Sequence, residues 1–444
     1  ASTSTSASTS THAAETVPGR FLSISQILFE IGDRTEIEVA YGDELSPLAL
    51  QAYLIASKQR EVLAPNLTLA FQVPAVDGYD GGLLPLRHYS AFSKLLLPPG
   101  TPAGTTDGRL RENLTAIPEA RWLDLLGVRF LLTDKTTDVW IDEVLYDRQF
   151  QPQLAAGETL AIAWLPEDFT ASALGLLYEG RAGTLRLHLA DGRDLSFELP
   201  SSATADLAHW IRWDKATPVR TLTFGAQSGS LVLKGASLVD ERLGAFYPLV
   251  LSDEYWLVHS GDVKVYEDTS PPARARLVRG CVPVRSDAEA LEVMEARDFD
   301  PSETLVLHVA EGTVGEICHD VERAASDATQ EIAVLRYASD EIVVDVTTSE
   351  PGYLLLTDAW YPGWQARIAS RAPQEATAET PTELDGTLSQ VLRADILFRA
   401  VAVEPGDWRV TLRYRPRPFV WGVGLSLLGV VLLWGYVRAL RRRS

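Results

Sequence analysis

The sequence predicts a multidomain chain of α/β plus all-β folds: a mixed α/β domain interrupted by a jelly-roll-like β-sandwich, then a membrane-proximal β-sandwich and one C-terminal transmembrane helix. Three observations carry that expectation. Helix and strand signals mingle over residues 17–150 and again over 246–325. Short alternating strand segments fill 151–245 and 326–415. A run of 19 residues without a charge, Phe419–Val437, lies near the end of the chain.

Size and composition agree with several cores. At roughly 150 residues per domain, 444 residues predict two to four domains. With 46% hydrophobic residues the chain has enough apolar material for several cores. The net charge of −20, from 40 Lys and Arg against 60 Asp and Glu, argues against nucleic acid as a partner. Two cysteines, Cys281 and Cys318, are too few for a disulfide framework or a four-thiolate zinc site. They read as buried, unpaired thiols, with a single bridge as the alternative.

Residues 1–16 begin as Ser/Thr/Ala low-complexity sequence and read as a flexible linker. The chain starts with Ala1 rather than Met, so it reads as a piece of a longer chain or as processed at its N-terminus. In the first half of the mixed domain, 17–150, Ser46-Pro47 opens a helix with Leu50, Tyr53 and Leu54 on one face. Gly127 stops a helix at Leu126, and Val128–Thr133 follows as a buried strand. Within 151–245, Thr184–Leu189 and Leu195–Leu199 flank Asp191-Gly192, a favoured hairpin turn, and Val219–Phe224 and Ser230–Lys234 continue the pattern. This segment reads as an inserted sandwich of the kind found in carbohydrate-binding modules. In the second half, 246–325, Val263–Tyr266 and Thr304–Val309 are strands, and Ser286 to Glu289 is a capping box opening a helix through Arg297. Ile342–Val346, Tyr353–Thr357, Phe398–Val403 and Trp408–Tyr414 make 326–415 all strand.

At about 1.5 Å per residue, the run 419–437 reaches roughly 28 Å, close to a bilayer's hydrocarbon thickness. Trp421, Trp434 and Tyr436 lie near its ends, as interfacial aromatics do. Gly422 and Ser426 offer a small-residue face to other membrane helices. Arg409, Arg413, Arg415 and Arg417 before the span balance Arg438, Arg441, Arg442 and Arg443 in and beside the basic tail 438–444, so charge alone leaves the topology open.

No P-loop, nucleophile elbow, zinc-protease helix or dinucleotide turn is present, and no residue reads as catalytic or as a metal ligand. Cys318-His319-Asp320 are adjacent, point apart and do not converge on a metal. Two loops are candidates for glycan binding. Asp77, Tyr79 and Asp80 sit in a Gly-rich loop that could hold a sugar or Ca²⁺ through oxygen ligands, or be a turn in which the carboxylates bond local amides. Trp360, Tyr361 and Trp364 surround a Pro-Gly turn, where they stack on sugar rings, sit at lipid headgroup level or close the sandwich. Arg413, Arg415 and Arg417 are candidates for membrane or phosphate contact.

The runs YLLLTDAWYPGWQARI (353–368) and ILFRAVAVEPGDWRVTLRYRPRPF (396–419), followed at once by an apolar helix, resemble the C-terminal end of the YfhO family of bacterial membrane proteins. GRFL (19–22), VDGYD (76–80), LDLLGVRFLLT (123–133), VKVYED (263–268) and DFDPSETLVL (298–307) agree in order. The resemblance covers about 17–150 and 246–444; residues 151–245 fall outside it. Where family members tend to run Trp-x-Ala-x-Val-Asp-Gly, this chain has Trp364 to Ser370 as WQARIAS.

The resemblance implies a polytopic glycosyltransferase-like parent of the GT-C type, which draws sugars from a polyprenyl-phosphate donor outside the membrane. The helices that carry the catalytic acid in that class are not in this sequence, so no cofactor is expected here and the chain alone is not expected to be catalytic. The resemblance also implies that the bulk of the chain is extracytoplasmic, on the bacterial cytoplasmic membrane, with the C-terminus inside. The expected function is an accessory region that positions a glycan or cell-envelope polymer acceptor, with the lipid bilayer and the parent's other membrane helices as partners. A structural or protein-interaction ectodomain is the alternative. For an independent hydrolase built on Asp77 and Asp80, nothing in the sequence shows the spacing or perturbed pKa such chemistry needs.

Overall fold

A computed structural model describes residues 17–25, 34–78, 86–98, 100–101, 110–309, 318, 330–371 and 386–441. The protein is mostly β-sheet and forms two compact units. The first comprises Gly19–Pro85 and Leu96–Pro272; the second comprises Ala1–Pro18, Leu86–Leu95 and Ala273–Ser444. The chain passes from the first unit to the second at Pro272. Strand pairing gives the reason, because the segment from Ala275 to His308 hydrogen-bonds with strands of the last part of the chain.

In the first unit a four-stranded sheet has the order Arg20–Ser23, Val128–Thr133, Lys264–Asp268, Tyr255–Ser260. The first pair is parallel and the others antiparallel. Helices Arg34–Tyr41, Pro47–Glu61, Leu67–Phe71 and Ala120–Leu126 belong to the same unit. Ser46 caps Pro47–Glu61, its Oγ accepting from Ala49 N at 3.3 Å. Leu50 and Leu54 pack on a small core with Phe21, Ile37 and Leu132, whereas Tyr53 is exposed. Gly127 ends Ala120–Leu126 in the left-handed conformation, at a φ of 63° that a β-carbon disfavours.

The remainder of this unit is an eight-stranded antiparallel sheet built around the long strand His209–Ala226. Its first half pairs with Thr170–Gly180 and its second half with Gly183–Leu189. A single core draws on both halves, with Leu174, Leu176 and Leu233 meeting Leu185, Leu222 and Phe224. The Asp191-Gly192 turn joins Gly183–Leu189 to Asp194–Leu199 as the sequence indicates.

The second unit contains two sheets sharing one core. One has the order Ala275–Val278, Gly352–Leu356, Phe398–Val403, Leu392–Ala394, Thr304–His308, Gly280–Val284. The other has the order Gln330–Tyr337, Glu341–Thr348, Gly406–Tyr414, Trp364–Ser370, Thr387–Ser389. Leu277, Leu354, Val401 and Val403 of the first pack with Ile342, Val344, Val410 and Leu412 of the second. Gly280–Val284 and Thr304–His308 run parallel, joined through helix Asp287–Met294, which is shorter than the expected helix to Arg297. Cys281 is bridged to Cys318 with 5.6 Å between their α-carbons, which corrects the expectation of two free thiols.

The last helix, Arg417–Arg441, is 25 residues long, and its described side chains from Trp421 to Gly435 are all exposed. Among the described residues no helix is long and apolar enough to cross a membrane. The Ser/Thr-rich residues 1–16 and the end of the basic tail, 442–444, lie outside the described residues.

Candidate functional site

The segment Thr357–Gly363 carries the second unit's chain from one sheet to the other, between Gly352–Leu356 and Trp364–Ser370. Its Pro362-Gly363 turn has Gly363 at a φ of 119°, where a β-carbon would come within 3.0 Å of Tyr414 and 3.1 Å of Pro416. Gly363 O accepts from Arg415 N at 2.8 Å, which fixes the turn to the approach of the last helix.

The three aromatics of this segment have different surroundings. Trp360 is half-buried, donating from its backbone to Leu397 O at 2.6 Å and from Nε1 to Val391 O at 3.4 Å. Its ring meets His88 edge-on at 6.1 Å. Trp364 packs against the shared core, 5.4 Å from the Tyr414 ring, with the Arg399 guanidinium 3.9 Å above its own ring. Tyr361 alone is exposed, at 47%. Trp360 and Trp364 are thus engaged in packing, and Tyr361 is the ring presented to solvent.

A buried polar cluster adjoins Trp364. Asp358 accepts from Tyr337 Oη at 2.6 and 2.7 Å, pairs with Arg274, and lies 3.3 Å from Arg399 Nη2. Arg399 is 3% exposed, and burial lowers its pKa. Asp358 supplies the opposing charge that makes this burial tolerable.

A second cluster centres on Asp287, the first residue of Asp287–Met294. Ser286 Oγ caps that helix by accepting from Glu289 N at 3.2 Å, and Glu289 reaches back to Arg285 N at 2.8 Å. With the cap supplied by Ser286, the Asp287 carboxylate meets Arg393 Nη1 at 2.6 Å, His308 Nε2 at 3.0 Å and His88 Nδ1 at 3.4 Å. Burial pushes His308 down to about 4, and His88 is also lowered, by burial first and then by Arg393. Both imidazoles are therefore neutral at pH 7. Burial tends to raise the Asp287 carboxyl, but Arg393 outweighs it and holds the group below its ordinary range. Arg393 Nη1 also lies 2.8 Å from His88 Nδ1, and since a guanidinium only donates, this contact assigns the lone pair to Nδ1. Among the described residues no group of His, Cys, Asp and Glu is arranged to hold a metal ion.

These residues escaped the sequence reading. His88 and His308 stand 220 positions apart in unremarkable contexts, and Ser286 to Glu289 signalled only a cap. Nothing local marks Arg393 and Arg399 as cross-strand neighbours.

The other candidates resolve as follows. Asp77 is buried and faces Arg111, Oδ2 to Nε at 2.7 Å and Oδ1 to Nη2 at 3.3 Å. Arg111 also donates to Val62 O and Leu63 O, both at 2.8 Å. Asp77 therefore fastens the segment after Pro47–Glu61 to the rest of the unit instead of presenting oxygens to a sugar. Tyr79 and Asp80 lie outside the described residues, as do His319 and Asp320. Arg413 is held by Glu341 at 2.5 Å across adjacent strands, while Arg415 is exposed. The side chain of Arg417 lies outside the described set.

No family model matches the chain, and no curated protein matches it. Among solved structures there is a weak likeness to the arabinofuranosyltransferase AftD from Mycobacteria, at 11% identity over 66% of this chain and 24% of that one, with a TM-score of 0.19. A point mutant of the oxalate decarboxylase OxdC from Bacillus subtilis is 12% identical over 63% and 69% of the two chains, with a TM-score of 0.14. Hazelnut vicilin is 9% identical over 60% and 73%, with a TM-score of 0.13. The chain spans about a quarter of AftD's length. Likenesses at these scores carry no argument about this chain's function.

Proposed function

We propose that this chain is the extracytoplasmic accessory region of a YfhO-like membrane glycosyltransferase. Its last helix holds it to the bacterial cytoplasmic membrane, and its β-rich units, including a carbohydrate-binding-module-like inserted sandwich, position a glycan or cell-envelope polymer acceptor. Other membrane helices of the parent supply the catalytic core and use a polyprenyl-phosphate-linked sugar donor. The observation that carries this reading is the helix Arg417–Arg441, within which the uncharged run Phe419–Val437 falls and whose Leu425, Leu428, Val431, Leu432 and Leu433 are exposed. A continuous apolar surface of this kind exceeds what a soluble monomer carries, and a bilayer or neighbouring membrane helices cover it.

Two features support the orientation. The Cys281–Cys318 bridge belongs to an oxidising compartment. Arg415, exposed just before the helix, suits a phosphate headgroup at the outer surface. The full chain expressed in bacteria is expected in the membrane fraction after a carbonate wash, with residues 17–415 open to protease added from outside. Deleting 419–444 is expected to release it. A full-length chain recovered in the soluble fraction would overturn the anchor, and protection from outside protease would overturn the topology.

The alternative, a protein-interaction ectodomain, draws support from the helices Pro47–Glu61 and Leu67–Phe71, where Leu48, Leu69 and Phe71 are exposed. Under that reading Leu48→Glu with Phe71→Glu abolishes co-purification of a membrane partner, and the wild-type chain retains no glycan.

A further inference from the structure

Two exposed tryptophans stand side by side on the first unit. Trp164 lies between strands Thr159–Ile162 and Thr170–Gly180, and Trp256 lies on Tyr255–Ser260, the outer strand of the four-stranded sheet. Their ring centroids are 5.6 Å apart with planes tilted by 36°, and they remain 51% and 38% exposed. Together they make a shallow apolar trough wider than one indole. Core packing leaves rings of this size largely covered, so an exposed pair calls for another explanation.

A second feature follows Trp164 directly in sequence. Leu165, next in sequence to Trp164, lines a shallow hollow with Pro218 and Ala190, and Glu167 and Arg220 stand at its polar edge. Both charged side chains are on lining that opens to solvent, and among the described residues neither is held by a hydrogen bond or ion pair. An acceptor-only carboxylate and a donor-only guanidinium, at a hollow whose Leu165 is the next residue after one of the exposed rings, suit a ligand with both hydroxyl donors and acceptors, no net charge and apolar C–H faces. A neutral sugar has that chemistry. A polyanion does not suit a chain of net charge −20.

We infer that Trp164 and Trp256, with the hollow at Glu167 and Arg220, form a binding site for a neutral glycan chain, its sugar faces on the indoles and its hydroxyls at the charged pair. The inference rests on the glycan-positioning part of the proposed function and assigns it a location away from Trp360, Tyr361 and Trp364.

The test is affinity electrophoresis of the detergent-solubilised full chain in gels that each hold one soluble polymer: a β-1,4-glucan, a β-1,3-glucan, an α-1,4-glucan or an arabinan. Wild type is expected to be retarded by at least one. Trp164→Ala and Trp256→Ala each weaken that retardation about tenfold, Arg220→Ala weakens it less, and Trp164→Phe retains most of it. Trp140→Ala, which removes an exposed ring away from the hollow, leaves it unchanged. Because the altered rings are exposed, the variants are expected to keep the wild-type melting temperature. Retardation that persists unchanged in both alanine variants overturns the site and leaves glycan binding to be placed elsewhere. No retardation of wild type by any polymer overturns the site and the glycan-positioning reading together.

Discussion

Arg393 and Arg399 sit directly opposite one another in the hairpin of Leu392–Ala394 and Phe398–Val403, and each is matched to a different carboxylate. Arg393 meets Asp287 at 2.6 Å and Arg399 meets Asp358 at 3.3 Å. Like charges facing each other across strands destabilise a sheet unless something offsets them. Here Asp287 brings helix Asp287–Met294 to one guanidinium, and Asp358 brings the Thr357–Gly363 segment to the other. The hairpin acts as a cross-brace within the second unit, held by the neutralisation it requires.

Removing one of those acids exposes the cost. Asp358→Ala leaves the buried Arg399 and Arg274 without their shared carboxylate, and is expected to lower stability by about 3 kcal/mol. Asp358→Asn, whose amide oxygen still accepts from Tyr337, is expected to lose less. Urea denaturation of the three proteins measures this, and a loss below about 1 kcal/mol for the alanine variant would contradict the brace.

The parts of this arrangement that the sequence revealed are the local ones. Ser46-Pro47, Gly127, Asp191-Gly192 and Ser286 to Glu289 each act through chemistry confined to a few neighbouring residues, and each appears where expected. What stayed hidden depends on pairings across long separations. Thr304–His308 is legible as a strand, but its alignment with Leu392–Ala394 is not. The Trp360 to Trp364 rings are legible as aromatic, yet the Arg399 that covers Trp364 arrives from another strand. Trp164, between two strands, and Trp256, on the outer strand of the four-stranded sheet, likewise come from distant parts of the first unit's sequence and carry no shared motif.

Asp395 and His308 predict opposite pH slopes. Asp395 is fully buried, and burial pushes its carboxyl up to about 7 although Val306 N donates to it at 2.8 Å. Its folded value lies above the unfolded value of about 3.9, so its contribution is full below about pH 4 and is lost as pH rises to about 7. His308 is held down to about 4 by burial, below its unfolded value of about 6.5. Its contribution is full above about pH 6.5 and is lost as pH falls through about 4. Between about pH 4.5 and 6.5 the two slopes cancel in wild type, each being about 1.4 kcal/mol per pH unit. Asp395→Asn is expected to become more stable as pH rises through that window, and His308→Asn less stable. Urea midpoints at pH 4.5, 5.5 and 6.5 check the signs; parallel profiles for the two variants would refute the assignment.

Asp77 and Arg111 make a separate prediction for the first unit. Each is buried, and Arg111 also holds the carbonyls of Val62 and Leu63. Asp77→Ala leaves a guanidinium buried among carbonyls and is expected to lower stability by about 3 kcal/mol. Because Asp77 faces inward, the same variant is expected to keep whatever glycan retardation wild type shows, when compared below its unfolding midpoint. Loss of retardation in a variant still folded by circular dichroism would return Asp77 to the list of sugar ligands.

The disulfide supplies the last test, and it bears on compartment as well as stability. Cys281 lies on Gly280–Val284, the outer strand of its sheet, and Cys318 is 37 positions further on. Closing a loop of that length restricts the unfolded chain by an amount worth about 4 kcal/mol in the chain-entropy treatment. The doubly substituted Cys281→Ser, Cys318→Ser chain is expected to approach that loss, and wild type under strong reductant to match it. If the bridge forms outside the membrane, an alkylating reagent applied to cells before lysis will leave both thiols unlabelled unless reductant is added first. Ready labelling of native protein without reductant would remove the bridge and the support it gives to an extracytoplasmic location.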